Sequence, residues 1–179
     1  IHAADALGII QRLDVQLRSR VADPLNIVCD PIVLSGLVFQ RLVPKLCPYC
    51  KIRLKDHPDA IAPDLLGRLR NSMPDDCLDE VCIRGSGCKH CMESGHPGLH
   101  RQTVVAEVIA VDRQLLALLR QRQHEEAKKY WLSDLGGMTY LEHARHLIMS
   151  GVLDPAITEE MLAMPINADV ESGKRGQHA

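Results

Sequence analysis

The sequence predicts a mixed α/β chain that is mostly helical, and three observations carry that reading. Apolar residues recur at helical spacing near the start (Leu7, Ile10, Leu13, Leu17) and again across the last third of the chain. Two short runs, 38–43 and 102–110, have the β-branched and apolar density of strands. Two C-x-x-C pairs, Cys47/Cys50 and Cys88/Cys91, bracket a polar, proline-rich stretch with little apolar content of its own.

Asp5 is placed to cap the first helix, which the periodicity runs from Ala4 to Leu17. A polar break follows from Arg18 to Asn26. Asp30-Pro31, a cap followed by proline, predicts a short apolar helix from Pro31 to about Leu37. Val38-Phe39-Gln40-Arg41-Leu42-Val43 reads as a strand that Pro44 closes. Within the stretch between the cysteine pairs, residues 62–69 form one helical segment, and Val81-Cys82-Ile83 a short strand. Gln102–Ala110 is the best strand in the sequence, and its apolar residues on both faces predict burial within a sheet. Asp112 then caps a helix whose Leu115, Leu116 and Leu119 stripe is core, and a more polar helix spans about 123–132. Thr139 and Glu142 make a capping box for a helix that ends at Gly151. A last helix runs over 154–163 with Pro155 near its start, and residues 165–179 read as a mobile tail.

The cysteines carry the chemistry. Two residues between paired thiols let both face one point, and four thiolates complete the closed tetrahedral shell of structural zinc. Pro48 and Tyr49 inside the first pair, Gly85 and Gly87 before the second, and Gly95 and Gly98 after it suit such knuckles. Cys47, Cys50, Cys88 and Cys91 are therefore the expected metal ligands; unrelated buried thiols and a redox pair are the alternatives. Cys82 is a rival ligand by proximity, whereas His90, His96 and His100 are expected at the surface because four thiolates already fill the shell. Seven cysteines, an odd count, argue against a fully paired disulfide framework and for a reducing, cytosolic setting.

Bulk properties narrow the partners. Hydrophobic residues are 46% of 179, enough for a core, and the formal charge is −2. That balance disfavours a domain built to grip phosphate backbones, and the few aromatics (one Trp, three Tyr, one Phe) offer no stacking platform for single strands. No apolar run reaches the roughly 18 residues of a membrane span.

Taken together, I-H-A-A-D-A-L-G-I-I-Q-R-L, then Q-R-L-V running into C-P-Y-C, then G-C-x-x-C with its glycine turn, and a strand carrying a glutamate resemble one family. It is that of the hexameric ATPases of type II secretion and type IV pilus assembly. The matching positions are His2, Ala6, Arg12, Gln40 to Val43, Cys47 to Cys50, Gly87, Cys88, Cys91, Gly95, Gly98 and Glu107, and the likeness covers residues 1 to 151. Ala3 stands where the family has threonine, and Gly98-Leu99-His100-Arg101 lengthens the family's glycine–arginine turn, which points to a divergent member of the conjugative or plasmid-borne kind.

The resemblance implies the C-terminal part of a RecA-like P-loop ATPase domain. Residues 1–46 would be the edge of that core, 47–101 a tetracysteine zinc insert, and 102–164 a returning strand plus a C-terminal helical lobe. It implies ATP and Mg in the whole protein, a homo-hexamer, and an inner-membrane platform protein as partner. It further implies membrane association only through partners, no nucleic acid, and a cytoplasmic location at the inner-membrane face. His2 would sense nucleotide there; Arg12 and Arg41 match family positions, with contact to nucleotide and pairing with a surface carboxylate as the two readings of each. Glu107, an acid in an apolar strand, needs a partner and is not expected to be catalytic. No G-x-x-x-x-G-K-[ST] occurs in the chain. With Ile1-His2 opening the sequence, the expectation is a fragment cut at the histidine box, without the phosphate cradle and unable to hydrolyse ATP alone. Two other classes remain as readings. One is a zinc-ribbon module binding protein or nucleic acid; the other is a thiol–disulfide enzyme, which lacks the βαβ surroundings it needs.

Overall fold

The structure is a computed structural model that describes residues 3–93 and 95–169. Eight α-helices and four strands occur among the described residues. The helices are α1 (Gly8–Leu17), α2 (Pro24–Val28), α3 (Pro63–Ser72), α4 (Lys89–Met92), α5 (Arg113–Arg120), α6 (His124–Ser133), α7 (Tyr140–Met149) and α8 (Pro155–Leu162). The strands are β1 (Gly36–Leu46), β2 (Ile52–Arg53), β3 (Cys82–Ile83) and β4 (Leu99–Ala110). β1 pairs with β4, and β2 pairs antiparallel with β3. The mixed, largely helical class expected from sequence is what is found.

The chain divides into two compact units. The first comprises residues 1–40 and 106–140, the second 41–105 and 141–179. In the first unit α1 packs against α2, α2 against α5, and α5 against α6. Ile10, Leu25, Ile109, Leu115 and Leu119 are all but fully buried, and the Phe39 ring tilts against Tyr140 with centroids 5.2 Å apart. The leucine stripe of α5 is thus core, with Asp112 accepting from the Leu115 N–H at 2.8 Å as the expected cap. Asp5 accepts from the Gly8 N–H at 2.7 Å, so it performs its capping bond although regular helix starts only at Gly8. In the second unit Leu69, Val43, Val81, Ile148, Leu153 and Ile166 form the core.

Four expectations are corrected. The helix expected over 31–37 is absent. The Asp30 carboxylate accepts from the Ile32 N–H at 2.8 Å and turns the chain there, while the short helix forms earlier, at Pro24 behind Asp23. β1 continues through Pro44 to Leu46. Leu46, two residues on, turns its N–H to the Val152 carbonyl at 2.8 Å, whereas Cys47 turns its own to Gly98 beside β4. Pro44 therefore lacks its donor on the side away from β4, where a proline removes no bond of that pairing. β4 is not buried on both faces: Val105, Glu107 and Ile109 share the buried face, whereas Val108, on the alternate face, is 68% exposed. Finally, residues 165–169 are packed. Ile166 and Asn167 are buried, and the Arg145 guanidinium grips the Asp169 carboxylate at 2.6 and 3.1 Å. The rest of the expected tail, 170–179, lies outside the described residues.

Candidate metal centre

The first knuckle is a turn at the end of β1. Lys51 N–H bonds back to the Cys47 carbonyl at 3.0 Å, and Cys47 N–H donates to the Gly98 carbonyl at 2.9 Å. The second knuckle opens α4, with the Cys91 and Met92 N–H groups donating to the Cys88 carbonyl at 3.1 and 2.9 Å. What joins them is the β2–β3 ladder, which pairs Ile52 with Ile83 and Arg53 with Cys82. It lies just after the first pair and just before the second, so its register sets the knuckles side by side. Gly85 passes so close to Cys50 that a Cβ there would sit 1.8 Å from the Cys50 carbonyl oxygen.

The result is a cluster of four sulfurs, all within 4.8 Å of one another. Cys47 and Cys88 are 3.8 Å apart, Cys50 and Cys91 3.7 Å, and Cys88 and Cys91 3.9 Å. A tetrahedron with metal–sulfur bonds of about 2.3 Å has sulfur–sulfur edges of about 3.8 Å. All four cysteines are free of disulfides, and Cys47 and Cys91 are buried. The Cys88 and Gly98 N–H groups donate to Cys91 Sγ at 3.1 and 3.2 Å. Led by the Cys88 bond, they hold the Cys91 thiol down to about 6 against the effect of burial. Cys50 is pushed up to about 12, first by burial and then by the neighbouring sulfurs. Four sulfurs this close ionise together only around a cation, so the donor set and its spacing suit zinc.

The other expected residues fall as follows. His2 lies outside the described residues. Arg12 is exposed on α1 with no ion pair among the described residues, and Arg41 is exposed on β1. Cys82 is apart from the cluster, its thiol directed to the Glu80 carbonyl at 3.5 Å. His90 is not a ligand; its ring stacks on Tyr49 with centroids 4.2 Å apart, bracing one knuckle against the other. Sequence reasoning missed the N–H donors to sulfur and three fastenings of the insert to the C-terminal segment, one of them the Arg68 guanidinium of α3 donating to both oxygens of Glu159 on α8 at 2.7 and 2.6 Å. Lys51 Nζ donates to the Gly151 carbonyl at 2.6 Å, and the Asp154 carboxylate accepts from the Arg84 N–H at 2.7 Å. Only Gly98, placed after the second knuckle, gave any signal of the first kind. Glu107 has the partners it needed: its two oxygens accept from Ala6 N–H (2.7 Å) and Tyr140 N–H (3.2 Å).

Fold and site together define a mixed α/β module with a tetracysteine cluster, and the chain belongs to the Type II/IV secretion system protein family, whose model matches residues 1–163. Among curated proteins it is 29% identical over 168 residues to the type IV pilus assembly ATPase PilB of Thermus thermophilus. That alignment takes in 93% of this chain and 16% of the relative, so the chain spans a small part of that protein's length. No helix among the described residues is long and apolar enough to cross a membrane.

Proposed function

We infer that this chain is the C-terminal portion of a hexameric ATPase that powers type IV pilus assembly or type II secretion. The observation that carries the reading is the conjunction of the family match over residues 1–163 with four clustered thiols at the positions where the sequence places the family's cysteine knuckles. Residues 1–46 form the edge of a RecA-like core, 47–101 a zinc insert, and 102–164 the returning strand and helical lobe. Zinc is structural here: four protein sulfurs close its shell and leave no position for water or substrate. ATP and Mg act elsewhere in the whole protein, where phosphoryl transfer rests on positioning and on charge stabilisation by a phosphate cradle this chain does not contain. In that whole protein His2 would serve to sense nucleotide, and Arg12 is a second, weaker candidate for contact with it. The ring works in the cytoplasm at the inner-membrane face, with the knuckles braced for contact with a membrane platform protein.

The test is a pair of preparations, this chain alone and a longer polypeptide that joins it to a Walker-motif segment. The longer one is expected to form rings and hydrolyse ATP, and the chain alone to bind zinc without ATPase activity. A longer polypeptide that hydrolyses no ATP, or hydrolysis by the chain alone, overturns the reading.

A further inference from the structure

A second feature lies in the unit that carries the cysteines. A cavity of about 430 Å³ is lined by Pro44, His96, Leu99, Arg101, Gln102 and Met161. Its chemistry is divided. Pro44, Leu99 and Met161 supply apolar lining, while His96, Arg101 and Gln102 bring three polar side chains to the same cavity. None of those three side chains has a hydrogen-bond or ion-pair partner among the described residues. Arg101 is also held at φ +58°, a left-handed conformation that residues with a Cβ seldom adopt and that glycine adopts freely. A bulky cation thus occupies, without an internal partner, a position where glycine fits best. Such conformations cluster at ligand clamps.

Charge and shape narrow what this opening takes. Between Arg84 and Gln102 the chain carries Arg84, Lys89 and Arg101 against a single carboxylate, Glu93. The Arg84 Nε is already spent on the Pro97 carbonyl at 2.8 Å, so Arg101 is the cation presented to the cavity. A guanidinium matches a carboxylate through two parallel N–H bonds. His96, Arg101, Gln102 and Met161 are exposed, which leaves the mouth wide. Pockets for small molecules enclose most of their ligand, whereas a wide half-apolar opening suits a side chain presented on another polypeptide. We propose that this cavity is a docking site for a partner polypeptide segment that sets an aspartate or glutamate beside an aliphatic side chain, the acid on Arg101 and the aliphatic group on Leu99 and Met161. The inference goes beyond the motor reading and requires neither nucleotide nor ring assembly.

The experiment is a selection of random displayed peptides on the zinc-loaded chain, followed by fluorescence anisotropy with the enriched sequences. Enrichment of an acidic residue close to Leu, Ile or Met is expected. Arg101→Gly should then weaken binding by about tenfold or more, as loss of a charge-assisted pair does. Because glycine relieves the left-handed backbone, that variant should melt no lower than the parent, which separates lost binding from lost folding. Met161→Ser should weaken the same peptides, and Arg101→Lys should bind between parent and glycine variant. Absence of enriched peptides, enrichment without acids, equal binding to Arg101→Gly, or displacement by free hexanoate as effective as by the peptide would each overturn the proposal.

Discussion

Cys50 and Cys91, from opposite ends of the insert, bring their sulfurs to 3.7 Å, which is the edge of a metal-centred tetrahedron and closer than two thiols need to be. Contrary to the core-poor stretch expected from sequence, the segment between them buries Leu54, Leu65, Leu69, Val81 and Ile83, so the ion would add to an existing core by tying the two knuckles together. Elemental analysis should give about one zinc per chain. Cys88→Ser, or prolonged chelation, should cost several kcal/mol and lower Tm by about 10 °C or more. An unchanged melting curve after chelation would remove the ion as organiser.

Gly85 and Gly98 are the backbone's points of closest approach in the centre. A Cβ on Gly85 would collide with the Cys50 carbonyl, and one on Gly98, held at φ +75°, would meet the Gly85 carbonyl at 2.4 Å. Either alanine substitution should cost about 3 kcal/mol and speed zinc loss to a colorimetric chelator. Gly67→Ala is the control: that glycine lies within α3 with open space around it, so alanine should stabilise the chain by about 0.5–1 kcal/mol.

How much of this was legible beforehand follows from the range of each interaction. The cysteine cluster was readable because a C-x-x-C pair is a local signature whose chemistry does not depend on distant residues. The α5 stripe and its Asp112 cap were readable for the same reason. The β2–β3 ladder was half missed, since Ile52-Arg53 is too short to show a period and exists only because Cys82-Ile83 arrives beside it. The false helix at Pro31 came from weighing Asp30 as a cap when its carboxylate closes a tighter turn. The packed residues 165–169 owe their order to Arg145, more than a helix away in sequence, and no local pattern announces that.

Asp154 joins the helical end of the second unit to the entry of the second knuckle. One carboxylate oxygen accepts from the Ile157 N–H at 3.0 Å and caps α8; the other accepts from the Arg84 N–H at 2.7 Å. Asparagine keeps one acceptor and turns an NH₂ toward the other donor. Asp154→Asn should therefore destabilise by about 1–3 kcal/mol. It should also weaken zinc retention, because Arg84 leads into Cys88. Equal stability and equal metal loss would show that the two bonds do not couple helix and knuckle.

Glu107 makes the pH dependence specific. Its side chain is 3% exposed, and burial pushes its carboxyl above the ordinary carboxylate range, while the Ala6 and Tyr140 N–H groups pull the other way. Asp5 adds to the rise and Lys128 opposes it. A group that holds its proton more tightly folded than unfolded makes stability fall as pH rises from its unfolded value through its folded one, then level off. Asp112 runs oppositely: its bond from the Leu115 N–H, then that from Tyr130, lowers its titration, so its contribution is lost only as pH falls below the ordinary aspartate range. Denaturant titrations across the acid range should show both limbs. Glu107→Gln should erase the upper limb and, because two N–H donors then share one oxygen, cost about 1–3 kcal/mol near neutrality. If the variant keeps the parent's slope above the ordinary glutamate range, another group is responsible for it.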